Sequence, residues 1–176
     1  MASGSAVNLK AQLARDLPEA LVAVMARSEL APMPPQHGKP SLDTLLATDD
    51  AVVQPHAIAN VARYLRDTHG YVLLTNLTAV DYLRDNVIEL VYHFDTMQGS
   101  TAVIKTRVPR EDPRLPSLTP FWPGADFQER EAFDLYGVVF EGHQNLRRIY
   151  MWDEFEGFPM RKDFPRQGDK YFGEAD

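Results

Sequence analysis

The hydrophobic pattern in the middle of the chain predicts a β-sheet. The segments 71–82, 87–95 and 101–109 are rich in β-branched and aromatic residues, and turn-forming residues (Asn86 and the run 98–100) separate them. Such runs with short turns between them indicate neighbouring antiparallel strands. Alternate positions of a strand point to opposite faces of the sheet. In the second segment we therefore expect one buried face, formed by Ile88, Leu90, Tyr92 and Phe94.

The pattern just before these strands predicts a short strand followed by a helix. Residues 51–54 (AVVQ) are typical of a strand. Pro55 suits the first turn of a helix that runs to about Thr68, because proline is tolerated at that position. Gly70 is expected to end this helix, since glycine readily adopts the left-handed conformation at a helix C-terminus. Its predicted apolar face comprises Ile58, Val61, Ala62 and Leu65.

The N-terminal region gives a weaker signal. Residues 6–30 carry a helical stripe of apolar positions that is interrupted at Pro18. The later part, residues 20–26 (ALVAVMA), could instead form a strand. Residues 31–41 contain several prolines and predict a loop.

The character of the chain changes after Arg110. Residues 111–124 contain four prolines and predict a linker rather than a strand. Residues 125–137 (ADFQEREAFDLYG) predict a helix, in which Asp126 caps the N-terminus, Glu129 completes a capping box and Gly137 ends the last turn. A short strand is expected at 138–140, and the chain beyond Gly142 is expected to be irregular.

Together these elements predict an α+β fold. A small, mainly antiparallel sheet packs with helices and is followed by a helix and an extended, irregular C-terminal tail. We divide the chain into an N-terminal helical and loop region (1–50), the α+β sheet core (51–110), a linker and helix that complete the domain (111–140), and an extended partner-binding tail (141–176).

Composition and charge exclude several classes of function. The chain of 176 residues has a formal net charge of −7, which weighs against nucleic-acid binding, because that binding relies on clustered lysine and arginine. It contains no cysteine, so this chain supplies no disulfide, thiolate zinc site or iron–sulfur ligation. The N-terminus lacks the pattern of a signal peptide, and no apolar stretch approaches the ~20 residues that span a bilayer.

The segment 129–165 is dense in acids, bases and aromatics, yet its spacing argues against a catalytic site. On a helix, Glu129 and Glu131 project about 200° apart, so they cannot act together on one bond. We expect Glu129 to act as a capping partner and Arg130 to pair with Asp134 at i,i+4.

His143, after a turn glycine, is the best-placed histidine for a functional role, although a lone histidine is more often structural. No histidine has HxH or HExxH spacing, and no phosphate-binding or nucleophile motif occurs.

Two basic pairs interrupt this otherwise acidic segment. Arg147-Arg148 and Arg161-Lys162 lie among aromatic residues. They could form a solvated surface of mixed charge, or they could anchor a partner, since arginine beside aromatics is typical of interface hot spots. The aromatic tail either packs over its own domain or lies along another protein.

At this point the motif itself is informative. The residues EREAFDLYGVVFEGHQNLRRIYM followed by EGFPMRKDFP closely resemble the signature of the 30 kDa subunit family of respiratory complex I. The segments LTPFWPGADFQ, LTNLTAVDY, VIELVYHF and KTRVPRED are also similar to that family, so the resemblance covers about residues 51–165. Two positions depart from it: Gln144 stands where the family usually has proline, and the chain ends soon after the motif.

The resemblance implies a non-catalytic scaffold and assembly subunit in the hydrophilic arm of a complex that couples NADH-to-quinone electron transfer to proton translocation. It implies contacts with the 49 kDa-type large subunit and the iron–sulfur subunits near the quinone site. The chain itself is expected to bind no cofactor, with FMN and iron–sulfur clusters in partner subunits. Membrane association is expected only through the complex, on the cytoplasmic face of a bacterial inner membrane, or on the matrix or stromal side in an organelle.

By the same resemblance, the motif residues are expected to hold the subunit in place and to contact partners: Glu129, Arg130, Glu131, Asp134, Gly137, His143, Arg147, Arg148, Arg161, Lys162, Asp163 and Pro165. Two alternatives stay open. One is the equivalent subunit of a related membrane-bound hydrogenase or ferredoxin-fed photosynthetic complex. The other, more remote, is a stand-alone acid–base enzyme that uses Glu131 and His143.

Overall fold

A four-stranded sheet forms the centre of the protein. The computed structural model describes residues 9–23 and 48–165. The strand order is β1-β4-β3-β2, in which β2, β3 and β4 are antiparallel neighbours and β1 is parallel to β4. This confirms the predicted, mainly antiparallel sheet. The strands are β1 (Ala51–Val53), β2 (Leu73–Tyr82), β3 (Val87–Asp95) and β4 (Thr101–Pro109).

One face of the sheet is the core, as the alternation predicts. The side chains of Ile88, Leu90, Tyr92 and Phe94 on β3 are fully buried. A helix covers this face with its own apolar stripe, and it ends at Gly70, which adopts φ +74°. We name helices in chain order: α1 (Leu9–Asp16), α2 (Ile58–His69, after a 3-10 turn at Pro55–Ala57) and α3 (Ala125–Tyr136).

The described N-terminal residues run from α1 to the edge of β1. A 3-10 turn at Pro18–Ala20 follows α1, so the helical stripe does break at Pro18. The chain then lies beside β1, where the Val22 amide donates to the Val52 carbonyl at 2.8 Å. The strand alternative for 20–26 is thus partly realised, as a single bridge from Leu21 to Val53. The rest of that segment and the predicted loop at 31–41 lie outside the described residues.

The prediction of a strand-free linker at 111–124 is wrong. Arg114–Pro116 forms β5, which pairs in parallel with β6 (Val139–Glu141). Proline does not block this pairing, because it lacks only the amide donor: the Val139 amide donates to the Pro113 carbonyl at 2.8 Å. Apolar side chains between the prolines join the core, and these are Leu115, Leu118 and Trp122.

Helix α3 occupies the predicted span, but it begins differently. Gly124 is the N-cap and no side chain caps the helix, so the predicted capping box is wrong. Asp126 lies inside the first turn, and Glu129 is buried against another segment. The C-terminus is as predicted, since Gly137 adopts φ +78° and its amide donates to the Phe133 carbonyl at 2.8 Å.

Residues 142–165 contain no helix or strand, as predicted. We call them the strap, because they lie along α3. Within the described part of the chain, no helix is long and apolar enough to cross a membrane.

Candidate partner-binding surface formed by helix α3 and the strap

The strap lies alongside α3 and runs in the same direction. Contacts step along both segments from the N-terminal end of the helix to its C-terminal end. In order, they join His143 to Asp126, Arg147 to Arg130, residues 148–151 to Asp134, Met160 to Leu135, and Arg161 to Tyr136. The motif residues therefore connect the helix to the strap, and the described part of the tail packs over its own domain.

Asp134 accepts the most hydrogen bonds from the strap. Its fully buried carboxylate accepts hydrogen bonds from the amides of Ile149, Tyr150 and Met151 at 2.6–3.0 Å, and from Arg148 Nη1 at 2.8 Å. Burial alone would raise its pKa, but the backbone amides and Arg148 outweigh burial and hold the pKa of Asp134 below its usual value. The predicted pairing of Asp134 with Arg130 is wrong, because Arg148 reaches it from the strap.

Arg130 binds the strap through a carbonyl. Its Nε donates to the carbonyl of Arg147 at 3.2 Å, and its Nη1 lies 3.5 Å from Asp126 Oδ2, one turn earlier. The guanidinium also stacks over the ring of Phe127, 5.4 Å from its centroid. An i,i+4 ion pair does form, with Asp126 as the acid.

Glu129 points away from the strap into the core. Its fully buried carboxyl group accepts from Ser117 Oγ at 2.6 Å and from the Leu118 amide at 2.7 Å, which fixes the segment before α3. Burial outweighs these hydrogen bonds and raises the pKa of Glu129 from 4.5 to about 7. The hydroxyl of Tyr92 is also buried, and it has no hydrogen-bond partner in the described structure.

The end of the strap is tied to the sheet by a charge cluster that sequence reasoning missed. Arg110, which follows β4, forms two hydrogen bonds to the buried Asp81 at 2.6 and 3.1 Å, and two to Asp163 at 2.6 and 3.3 Å. Asp81 also accepts from the amide of Lys162 at 2.7 Å. The available signal was Asp81, which occupies an inward position of β2 in step with Leu77 and Ala79.

Close packing explains the motif glycine at the end of α3. A side chain at Gly137 would place its Cβ 2.6 Å from the ring of Phe158, in addition to requiring a left-handed backbone. Arg161 lies over that ring, 4.8 Å from the centroid, and its Nε donates to the Tyr136 carbonyl at 2.7 Å. Glycine thus lets the strap cross the helix terminus.

His143 and Glu131 do not form a shared site. The His143 side chain is only 1% exposed, and its Nε2 lies 3.4 Å from Asp126 Oδ1. Its Nδ1 accepts from the Asn145 amide at 3.0 Å, as expected of a structural histidine. Glu131 is exposed and lines a groove against β2 instead. Across residues 9–23 and 48–165, no cluster of three metal-binding side chains occurs.

The outward side of this region is aromatic. Tyr150 and Trp152 on the strap are 59% and 62% exposed, and Phe127 on α3 is 66% exposed. Arg147 is exposed as well, and only its carbonyl is used by Arg130. Of the other predicted contacts, Lys162, Asp163 and Pro165 are exposed, while Arg148 and Arg161 are partly buried by the contacts described above.

Comparisons with known proteins identify the family. The family model described as the respiratory-chain NADH dehydrogenase 30 Kd subunit matches residues 51–170. An NADH-quinone oxidoreductase subunit of Moorella thermoacetica is 49% identical over 104 residues, which cover 58% of this chain and 70% of that protein. The corresponding protein of Roseiflexus sp. is 44% identical over 117 residues, which cover 64% and 67%.

A solved structure extends the similarity to the fold. A chain of the membrane-bound sulfane sulfur reductase, an archaeal respiratory membrane complex, superposes with a TM-score of 0.62 at 27% identity, over 89% of this chain and 83% of that one. The family model covers the sheet, α3 and the whole strap, which are the elements that the motif residues join. The chain therefore belongs to the family of the 30 kDa subunit of respiratory-chain NADH dehydrogenase.

Proposed function

We propose that this chain is a non-catalytic scaffold subunit in the hydrophilic arm of an NADH:quinone oxidoreductase. It contacts the 49 kDa-type large subunit and the iron–sulfur subunits near the quinone site. FMN and the iron–sulfur clusters reside in partner subunits. The chain reaches the cytoplasmic face of the membrane, or the equivalent side of an organelle, only through the complex.

One observation carries this proposal: the buried charges of the motif are satisfied within the chain, while two of its aromatic side chains, Tyr150 and Trp152, point outward. Asp134, Arg148 and Arg110 have partners in α3, the strap or the sheet. These contacts fix the path of the strap over the domain. Tyr150 and Trp152 are left as large exposed side chains on the strap. Exposed aromatics on a fixed backbone, with arginine nearby, are typical of interface hot spots.

The test is assembly of the complex with variants of the outward residues. We expect Tyr150→Ala with Trp152→Ala to reduce co-purification of the cluster-bearing subunits severalfold, because large aromatic anchors dominate interface energies. Met97→Ala is the matched control, since Met97 is 73% exposed and lies in the turn between β3 and β4. Unchanged co-purification by the double variant, with an unchanged melting temperature, would refute this docking surface.

The predicted contacts Arg161 and Lys162 need a different experiment. Charge reversal at Arg161 would also break its bond to the Tyr136 carbonyl, so a loss of assembly could originate within the chain. Arg147→Glu is cleaner, because the Arg147 contact to Arg130 uses only the backbone carbonyl. Normal assembly of Arg147→Glu on a native gel would remove this arginine from the proposed interface.

A second candidate function is the equivalent subunit of a related membrane-bound complex, such as a hydrogenase or a ferredoxin-fed photosynthetic complex. The similarity to a chain of the archaeal sulfane sulfur reductase favours it, since that complex is also a respiratory membrane assembly. Mass spectrometry of the native complex separates the two candidates. Flavoprotein subunits that bind NADH support the first, and their absence from an intact complex supports the second.

A further inference from the structure

Strand β2 forms an edge of the sheet that the described chain leaves open. The strand pairs with β3 on one side only. On its other side, the backbone of residues 73–80 has no hydrogen-bond partner within residues 9–23 and 48–165. The opposite edge, β1, is covered by the bridge to Leu21. Within the described residues, one of the two edges is therefore closed and the other is open.

This edge has only part of the usual protection against pairing. Natural edge strands are protected by charged residues, proline, bulges or a covering helix or loop. Here α3 packs against β2 but forms no backbone hydrogen bond with residues 73–80. Residues 73–80 (LLTNLTAV) contain no charged residue and no proline, and the only irregularity is a bulge between Leu74 and Asn76. Leu73, at the start of the strand, is exposed. An edge without charge or proline, whose outer backbone groups are free within the described residues, can accept a further strand.

A groove follows the open edge. It has a volume of about 140 Å³ and lies between β2 and the side of α3 that faces away from the strap's ion pairs. Its apolar lining comes from Leu77, Ala79, Ala132, Leu135 and Met160. A polypeptide paired with β2 would place alternate side chains over this groove, since successive side chains of a strand alternate in direction.

Two polar groups in the groove indicate the chemistry of its occupant. The side-chain Oε1 of Gln128 is buried and has no hydrogen-bond partner in the described structure, so it lacks a donor. The terminal torsion of glutamine is soft, and the amide can turn toward a donor in the groove. Glu131 adds an exposed carboxylate at the rim, which favours a basic side chain.

We infer that β2 accepts an extended segment of a partner subunit, which adds a strand to the sheet and carries an apolar side chain and a basic side chain toward α3. Backbone hydrogen bonds to β2 would supply the pairing, and the groove would select the side chains. This inference rests on the proposed membership of a multisubunit complex, and it identifies a contact surface separate from the exposed aromatics of the strap.

Hydrogen exchange provides the first test. We expect those amides in residues 73–80 that point away from β3 to exchange at least tenfold more slowly in the assembled complex than in the full chain alone, because a new strand would bond them. The amides of β3, bonded on both sides in each sample, serve as the internal reference. An intact complex in which residues 73–80 exchange as in the free chain overturns the inference and leaves the proposed function standing.

Cross-linking and an edge-blocking variant identify the occupant. A photoreactive benzoylphenylalanine in place of Glu131 should cross-link to an extended segment of one partner subunit, whereas the same residue in place of Glu141, exposed on β6, should not. Cross-links to a second copy of this chain, or to a helix of a partner, overturn the inference.

Thr78→Lys introduces a charge at the exposed edge and should lower incorporation of the subunit into the complex severalfold. Thr101→Lys, at an exposed position of the interior strand β4, should not. Equal incorporation of both lysine variants counts against the added strand. Failure of the wild-type chain to assemble with any partner counts against the proposed function itself.

Discussion

Asp134→Asn tests whether the motif charges hold the strap on α3. The substitution keeps the size of the side chain and one acceptor oxygen, but it removes the charge that faces Arg148 and the amides of residues 149–151. Leaving a buried charge without its partner costs about 3–5 kcal/mol. Asparagine retains part of the amide bonding, and Arg148 keeps its bonds to the carbonyls of Asp134 and Gly157, so we expect about 3 kcal/mol.

Amide exchange measures this loss where it occurs. The amides of Ile149, Tyr150 and Met151 are the donors to Asp134, so their exchange reports detachment of the strap directly. About 3 kcal/mol corresponds to exchange roughly a hundredfold faster. Asp153→Asn is the matched control, because Asp153 is an exposed acid on the same strap. Wild-type exchange at these amides in Asp134→Asn would refute the clamp.

A double-mutant cycle isolates the ion pair within this clamp. If Arg148 and Asp134 stabilise each other, Arg148→Met combined with Asp134→Asn should cost less than the sum of the two single variants, by about 1–3 kcal/mol. Additive losses would mean that Asp134 acts on the backbone amides alone.

Three further predictions concern other residues of the site. The folded-state pKa of Glu129 is raised from 4.5 to about 7, so the folded protein retains a proton there that the unfolded chain releases, and stability should fall by about 3 kcal/mol as pH rises from 4.5 to 7. Melting of Glu129→Gln should lack this contribution, and an identical pH profile for both proteins would contradict it. Gly137→Ala should lower the free energy of unfolding in urea more than Gly70→Ala does, by about 1 kcal/mol or more. Both glycines end helices with positive φ, but only Gly137 faces the Phe158 ring within 3 Å. Equal losses of stability would show that the ring moves freely. Arg110→Lys should cost about 2–3 kcal/mol of stability, because lysine cannot form the paired bonds to Asp81 and Asp163. Arg114→Lys, at an exposed ion pair, should cost at most about 1 kcal/mol. Similar melting temperatures for these two lysine variants would argue against the role of Arg110.

The periodic elements of this fold were predictable because their signals are local. Alternation in β3 identified the buried face, and Gly70 and Gly137 marked two helix ends, since each position depends on its immediate neighbours. The predicted capping box does not form because the Glu129 carboxyl group instead accepts hydrogen bonds from Ser117 and Leu118, which precede the helix. Local spacing favoured a cap, and a buried tertiary contact replaced it.

The partners of the motif charges were not predictable from spacing. An i,i+4 rule pairs Arg130 with Asp134, and it also permits the pair with Asp126 that is observed. Arg148 lies on the irregular strap, for which no periodicity exists, so its approach to Asp134 depends on the path of the whole segment. The resemblance named the motif residues, and only the structure assigned their contacts within the chain.

The order of the strap before assembly has a consequence for binding. Fixing the backbone of one residue costs about 1–2 kcal/mol, so a strap that became ordered only on contact would reduce affinity at each step. Here contacts from Asp134, Arg130 and Arg110 fix the strap within the chain. Tyr150 and Trp152 are therefore exposed on a backbone that is already ordered. Asp134→Asn should therefore weaken assembly although Asp134 is fully buried within its own chain. In the proposed complex, the dense motif acts on partners indirectly, through the shape that its internal contacts maintain.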